Sequence, residues 1–95
     1  MSTRQLLTPE ALEMLQLQLK DWKVSAKSLE RKLNFVNFSE AWAFLNRVAL
    51  LAEKLDHHPH WSNVYNQVEI QLSTHDRGGV TALDAQMAAA INEIL

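Results

Sequence analysis

Glu53-Lys54-Leu55-Asp56-His57-His58-Pro59-His60-Trp61-Ser62-Asn63-Val64-Tyr65-Asn66-Gln67-Val68-Glu69-Ile70-Gln71-Leu72 is the stretch in which this chain changes its period. Upstream of it, Ala41, Leu45, Val48, Ala52 and Leu55 recur at helical spacing, a buried stripe expected to run from an N-cap at Ser39 to Asp56. Pro59 is the expected stop, because a residue preceding proline avoids the helical region. Downstream, Val64, Val68, Ile70 and Leu72 alternate with Tyr65, Gln67, Glu69 and Gln71, the pattern of a half-buried strand. Asn66 interrupts the apolar series, so the run is expected to be bulged or split into two strands.

Outward from this stretch the remaining elements follow. Thr8 as N-cap, Pro9 at the first helical position and Glu10 in the first turn predict a helix start, with Leu12, Leu15 and Leu19 on one face. From Trp22 the pattern turns strand-like: Trp22 to Val24 is expected to pair with roughly Ser28 to Val36 around a turn at Ser25 to Lys27. Leu29, Leu33 and Phe35 share one parity with Arg31; Ser28, Glu30, Lys32 and Asn34 take the other. Asp76 to Gly79 form a turn, and Thr81 caps a last helix carrying Leu83, Met87, Ile91 and Ile94 on one side. The expected fold class is α+β, a small antiparallel sheet of three to four strands with three helices packed on one face, in one domain over residues 1–95.

The last helix also carries Ala82, Ala85, Ala88, Ala89, Ala90 and Leu95. Two readings stand side by side: alanine as a good helix former, or a second smooth face that packs against its copy in an oligomer.

Composition narrows the function. A net charge of −2 lacks the basic footprint that a nucleic-acid backbone requires. Absence of cysteine excludes disulfides and thiolate zinc sites, and suits a reducing compartment. No leader pattern and no apolar run of membrane-spanning length are present, so a cytoplasmic protein without direct nucleic-acid or membrane binding is expected.

The chemistry concentrates where the helix stops. His57, His58 and His60 lie within a few residues, with Glu53, Asp56 and Trp61 beside them; His75 follows one strand-length later. Histidine exchanges protons near neutrality, and an aromatic plate beside acids and bases suits proton transfer on a planar ligand. Each residue has an ordinary structural account too. His57 near a helix C-terminus offsets the dipole, Trp61 and Tyr65 are plausible core, Glu53 is a solvated helix residue, and Asp56 helps cap the helix end. Asp84 stands three residues after Thr81, close to capping-box spacing. Those accounts do not jointly explain His58, His75 and the acids. A metal is the competing reading, but metal-binding histidines on a helix sit at i and i+4, whereas His57 and His58 are adjacent. If the strand is regular, His75 points away from the face of Val68, Ile70 and Leu72, free to meet a ligand. His60 is expected to be an exposed loop residue.

Glu53, His57, His58, Pro59, Tyr65, His75 and Asp84, with Glu53-Lys54-Leu55-Asp56 and Thr74-His75 around them, resemble the motif of the pterin-4a-carbinolamine dehydratases. The resemblance extends over nearly the full chain. It implies helices on one side of an antiparallel sheet, assembly into homodimers or homotetramers through helices and sheet edges, and no metal or organic cofactor. It implies a hydro-lyase that removes water from 4a-hydroxytetrahydrobiopterin to give quinonoid dihydropterin, recycling the tetrahydropterin of an aromatic amino-acid hydroxylase. Vertebrate members also stabilise dimers of a homeodomain transcription factor, so a non-enzymatic assembly or dimerisation factor is the alternative. On this resemblance His57 and His75 carry acid–base roles and His58 holds and polarises the substrate. Glu53, Asp56 and Asp84 orient imidazoles or accept pterin N–H groups, and Trp61 forms a wall of the pocket.

Overall fold

Helix α1, Pro9–Gln18, begins at the expected cap: the Thr8 hydroxyl accepts from the Ala11 amide at 3.1 Å. The structure, a computed structural model, describes residues 4–95; residues 1–3, which the single-domain expectation and the leader reading include, lie outside the described residues. Leu15 and Leu19 of this segment are buried, and Leu12 packs against the same core at partial burial.

Strands β1 (Lys23–Val24), β2 (Leu29–Asn34), β3 (His60–Val64) and β4 (Gln67–Leu72) form one antiparallel sheet in the order β1-β2-β4-β3. Register places Leu29 opposite Leu72, Leu33 opposite Val68, and Arg31 and Trp61 on either side of Ile70. These side chains face the helices, whereas Glu30, Lys32, Glu69 and Gln71 form an open polar face. The alternation read from the sequence therefore sorts the two faces as expected.

The first hairpin is shorter than its sequence suggests. Trp22 is not a strand residue; it is 2% exposed and anchors the core, its indole N–H donating to Asn92 Oδ1 at 2.8 Å. Gln16 clamps the turn around it, donating to the Trp22 carbonyl and accepting from the Val24 amide.

Helix α2, Phe38–Leu55, starts two residues before the expected position: Asn37, not Ser39, is the N-cap, its side chain accepting from Glu40 N at 2.9 Å. Its buried stripe is Ala41, Phe44, Leu45, Val48 and Ala52, with Leu55 at partial burial. The helix ends before Pro59 can act. Asp56 takes a left-handed conformation (φ 50°), its amide bonding to Glu53 O and the His57 amide to Ala52 O. That pair of bonds is the Schellman arrangement, with aspartate in the place usually held by glycine.

The long strand signal splits. Tyr65 and Asn66 make a two-residue turn between β3 and β4, with Tyr65 left-handed (φ 51°) and 62% exposed. Asn66 fixes the turn to the end of β2 by exchanging hydrogen bonds with the Phe35 backbone. A short 3-10 turn, His75–Arg77, closes on left-handed Gly78. Helix α3, Ala82–Glu93, then opens with a capping box between Thr81 and Asp84. It buries Asp84, Met87, Ala88 and Ile91, while Leu83 and Ile94 are only half-buried and Ala89 is exposed. Helices α2 and α3 pack together over β4, and α1 lies against β1, joining one core on one sheet face. Among the described residues no helix is long and apolar enough to cross a membrane.

Candidate active site

The reversal at Asp56 sends two adjacent histidines to opposite sides. His57 turns inward, and its Nε2 lies 2.5 Å from Asp84 Oδ1. His58 turns outward, 3.2 Å from Glu53 Oε1, with both of those side chains largely exposed.

Asp84 is 0% exposed, so it meets no ligand directly. Its Oδ2 accepts from the Thr81 amide and the Thr74 hydroxyl, both at 2.9 Å, and the hydroxyls of Thr74 and Thr81 are 2.7 Å apart. As a carboxylate Asp84 can only accept, so His57 donates from Nε2 and the ring's free nitrogen is Nδ1. Nδ1 has no protein partner, and no buried side-chain nitrogen or oxygen among the described residues lacks one, so Nδ1 reaches the opening. The directions of the hydroxyls follow: Thr74 gives its proton to Asp84, and Thr81 gives its own to Thr74. Asp84 therefore lies against the His57 imidazole, and its burial does not fit the expected direct contact with substrate.

His75 arrives from the far end of β4. The strand stops at Leu72, yet strand parity still describes the next residues: Thr74 is buried with Leu72, and His75 is exposed at the start of the 3-10 turn. His57, His58 and His75 line one hollow of about 220 Å³, with Asp56, Thr74 and Asp76 on its wall. Arg4 pairs with Asp76 at its rim and holds that carboxyl below its ordinary range, chiefly by hydrogen bonding and charge. A second, wider hollow of about 500 Å³ shares His58, Ser73 and His75 with the first and continues past Pro59 and His60 to Lys27, Ser28 and Gln71.

Two further expectations move. Trp61 does not line either hollow; opposite Ile70 it packs on the core side, behind the site. That corrects its reading as a wall. His60 is exposed but belongs to β3, not to a loop, and faces the wider hollow. Among the described residues, no group of three or more His, Cys, Asp or Glu side chains is arranged to hold a metal ion. Thr74 entered the sequence reading only as the flank of His75, and its buried role beneath Asp84 was missed, although a polar residue at the parity of Val68, Ile70 and Leu72 was a usable signal.

Comparison with known proteins agrees with this geometry. The family model described as pterin 4 alpha carbinolamine dehydratase matches residues 5–94, and the chain belongs to that family. Relatives that carry the pterin-4-alpha-carbinolamine dehydratase name include one from Mesorhizobium japonicum, 51% identical over 92 residues, covering 95% of this chain and 94% of its own. One from a Synechococcus strain is 52% identical, covering 94% of this chain and 96% of its own; one from Prochlorococcus marinus is 47% identical, covering 94% and 93%. A crystal structure from Brucella melitensis, described as a transcriptional coactivator/pterin dehydratase, superposes with a TM-score of 0.90 at 40% identity. It covers 95% of this chain and 98% of that one. The resemblance read from the histidine motif is therefore correct, as is the α+β fold class, and the dehydratase is a hydro-lyase.

Proposed function

We propose that this chain dehydrates 4a-hydroxytetrahydrobiopterin to quinonoid dihydropterin by histidine acid–base catalysis. The observation that carries the reading is the convergence of His57, His58 and His75, from two separate segments, on one hollow. Loss of water breaks the C4a–O bond after a proton reaches the departing oxygen. The N5 proton leaves, its electrons form the C4a=N5 double bond, and no net proton is consumed. His57 and His75 divide these two transfers. His57 works through Nδ1 because Asp84 occupies Nε2. His58, held by Glu53, polarises the substrate, and Asp56 stands at the rim to accept a pterin N–H. Positioned groups of this kind contribute about 10²- to 10⁴-fold each, sufficient for an adduct that already collapses unaided.

The test is a dehydration assay on freshly generated 4a-hydroxytetrahydrobiopterin with the natural chain, His57→Ala and His75→Ala. The natural chain should outpace the spontaneous reaction, and each variant should lose about 10²-fold or more. A natural chain no faster than buffer removes the enzyme reading; full activity in both variants removes the roles.

The reaction belongs in the cytoplasm beside an aromatic amino-acid hydroxylase whose tetrahydropterin it restores, in a one-domain chain over residues 1–95. We propose that the chain works as a homodimer or homotetramer. Phe38 and Trp42 stack with ring centroids 6.2 Å apart on α2, and together with Leu50 they are half or more exposed, more apolar surface than an isolated helix face favours. Light scattering at micromolar concentration should give a mass above that of one chain; a clean monomer rules assembly out.

A further inference from the structure

The wider hollow is larger than the proton-transfer corner needs. At about 500 Å³ it has the capacity of a small-molecule pocket, and it meets the smaller one at His58, Ser73 and His75. In a pterin, ring position 6 is bonded to N5. A substituent on C6 therefore leaves the ring beside the nitrogen whose proton the histidines remove, and with the ring in the smaller hollow the wider one is the adjoining space open to it.

The wall of that hollow has an unusual charge pattern. None of its eight lining residues is acidic, although the chain as a whole is −2. It holds three imidazoles and, at the end away from His57, Lys27. Lys27 forms no ion pair among the described residues. The acids nearest on the open sheet face, Glu30 and Glu69, line the neighbouring depression, and Glu69 is matched by Lys32 at 3.7 Å. The segment that carries Lys27 is fixed in place. Ser25 Oγ accepts from the amides of Lys27 and Ser28, and the Ala26 carbonyl accepts from Val80 N at 3.1 Å. Beside it, the buried Ser28 hydroxyl and the Gln71 amide, 3.5 Å apart, add neutral hydrogen-bonding groups. A cation on a braced loop with no internal counter-charge is a site for an anion.

We infer that the wider hollow is a subsite for an anionic group on the pterin's C6 substituent, with Lys27 supplying the counter-charge. This rests on the dehydratase reading for the placement of the ring, and it extends the substrate class to pterins with charged side chains. Lys27 acts on specificity and takes no part in proton transfer.

The test compares 6-hydroxymethylpterin with its phosphate monoester, binding being followed by pterin fluorescence at low ionic strength. The natural chain should bind the phosphate ester about 3- to 5-fold more tightly, the scale of one partly exposed ion pair. Lys27→Gln should bring the two ligands to equal affinity, Lys27→Glu should favour the uncharged one, and about 1 M salt should erase the preference. Equal affinities in the natural chain, a preference that survives Lys27→Gln, or no binding of either ligand overturns the inference. Dehydration of 4a-hydroxytetrahydrobiopterin, whose side chain is uncharged, by the natural chain reads the parent activity separately. Failure there of the natural chain itself sinks the dehydratase reading, while the phosphate preference still reports on the subsite.

Discussion

His57 and Asp84, 27 positions apart, meet at 2.5 Å where the end of α2 crosses the first turn of α3. One carboxylate thereby serves both a helix cap and the orientation of an imidazole. Asp84→Asn preserves the shape but removes the charge facing the ring, and its amide can present a donor where only acceptors now stand. We expect kcat to fall about 10²-fold with little change in KM, a loss on the scale of positioned acid–base groups. Asp84→Ala should also cost about 3–5 kcal/mol of stability, the usual result of breaking a buried pair. Steady-state kinetics and urea unfolding read the two effects; an Asp84→Asn variant with full kcat would show that Asp84 does not govern His57.

Thr74 is the hidden member of this network. Thr74→Val removes the donor to Asp84 Oδ2 and leaves the Thr81 hydroxyl without its acceptor. The expected cost is about 1–3 kcal/mol, the penalty for unsatisfied buried polar groups, together with an altered kcat–pH profile. Thr74→Ser, which keeps the hydroxyl, should restore the profile. A Thr74→Val chain with unchanged stability and pH profile argues against the network.

Gly79 has no room for a side chain. A Cβ there would stand 2.6 Å from the Ala26 carbonyl oxygen and 3.1 Å from Leu6 Cδ2. Because the Ala26 oxygen is backbone, Gly79→Ala should destabilise by about 1–3 kcal/mol, as overpacking does, and displace the turn that carries His75. Gly78→Ala is the control: space is open there, but φ is +74°, so only a backbone cost of about 1–2 kcal/mol applies. Thermal unfolding and kcat of the two variants should diverge, with activity lost mainly in Gly79→Ala.

Asp76 provides a pH prediction. Its carboxyl is held below its ordinary value of 3.8 first by the Arg4 hydrogen bond, which desolvation partly offsets, with the Arg4 charge adding to the lowering. A depressed folded-state value means the stabilisation is present above that ordinary value and is lost as pH falls through the lower one. Melting temperature followed down from neutrality should show a shallower acid loss in Asp76→Asn than in the natural chain. Identical acid limbs would show that the Arg4 pair adds nothing.

Much of the architecture was legible because its causes are local. Thr8 and Thr81 cap where their spacing to the following residues says they should, and strand alternation sorts both sheet faces. His75 falls on the expected side although the strand ends at Leu72. Errors arose where local chemistry is degenerate. Asn37 and Ser39 are both good caps, and only packing of α2 selects the earlier one. Trp22 has strand propensity, yet its ring is buried in the apolar core and its indole N–H is met by Asn92, a partner 70 residues away. The helix end at Asp56 was legible, but its cause was not: Pro59 offered a more obvious stop than an aspartate in the left-handed region. The site was legible as a set of residue types and not as a set of contacts. Nothing near His57 announces that Asp84 will sit beneath it, or that Trp61 will turn to the core.

The Gly79–Thr81 segment is stitched from three directions. Thr74 N bonds to Gly79 O, Val80 N to Ala26 O, and Leu7 N to Val80 O, with Leu6 bridging Thr81. Three remote parts of the chain thus meet behind His75, and the buried amide of Val80, bonded to the Ala26 carbonyl, lies at their junction. Its hydrogen–deuterium exchange should be governed by global opening of the molecule. Warming should then extinguish turnover at the same temperature as the fold itself is lost, with no earlier loosening of the histidine corner.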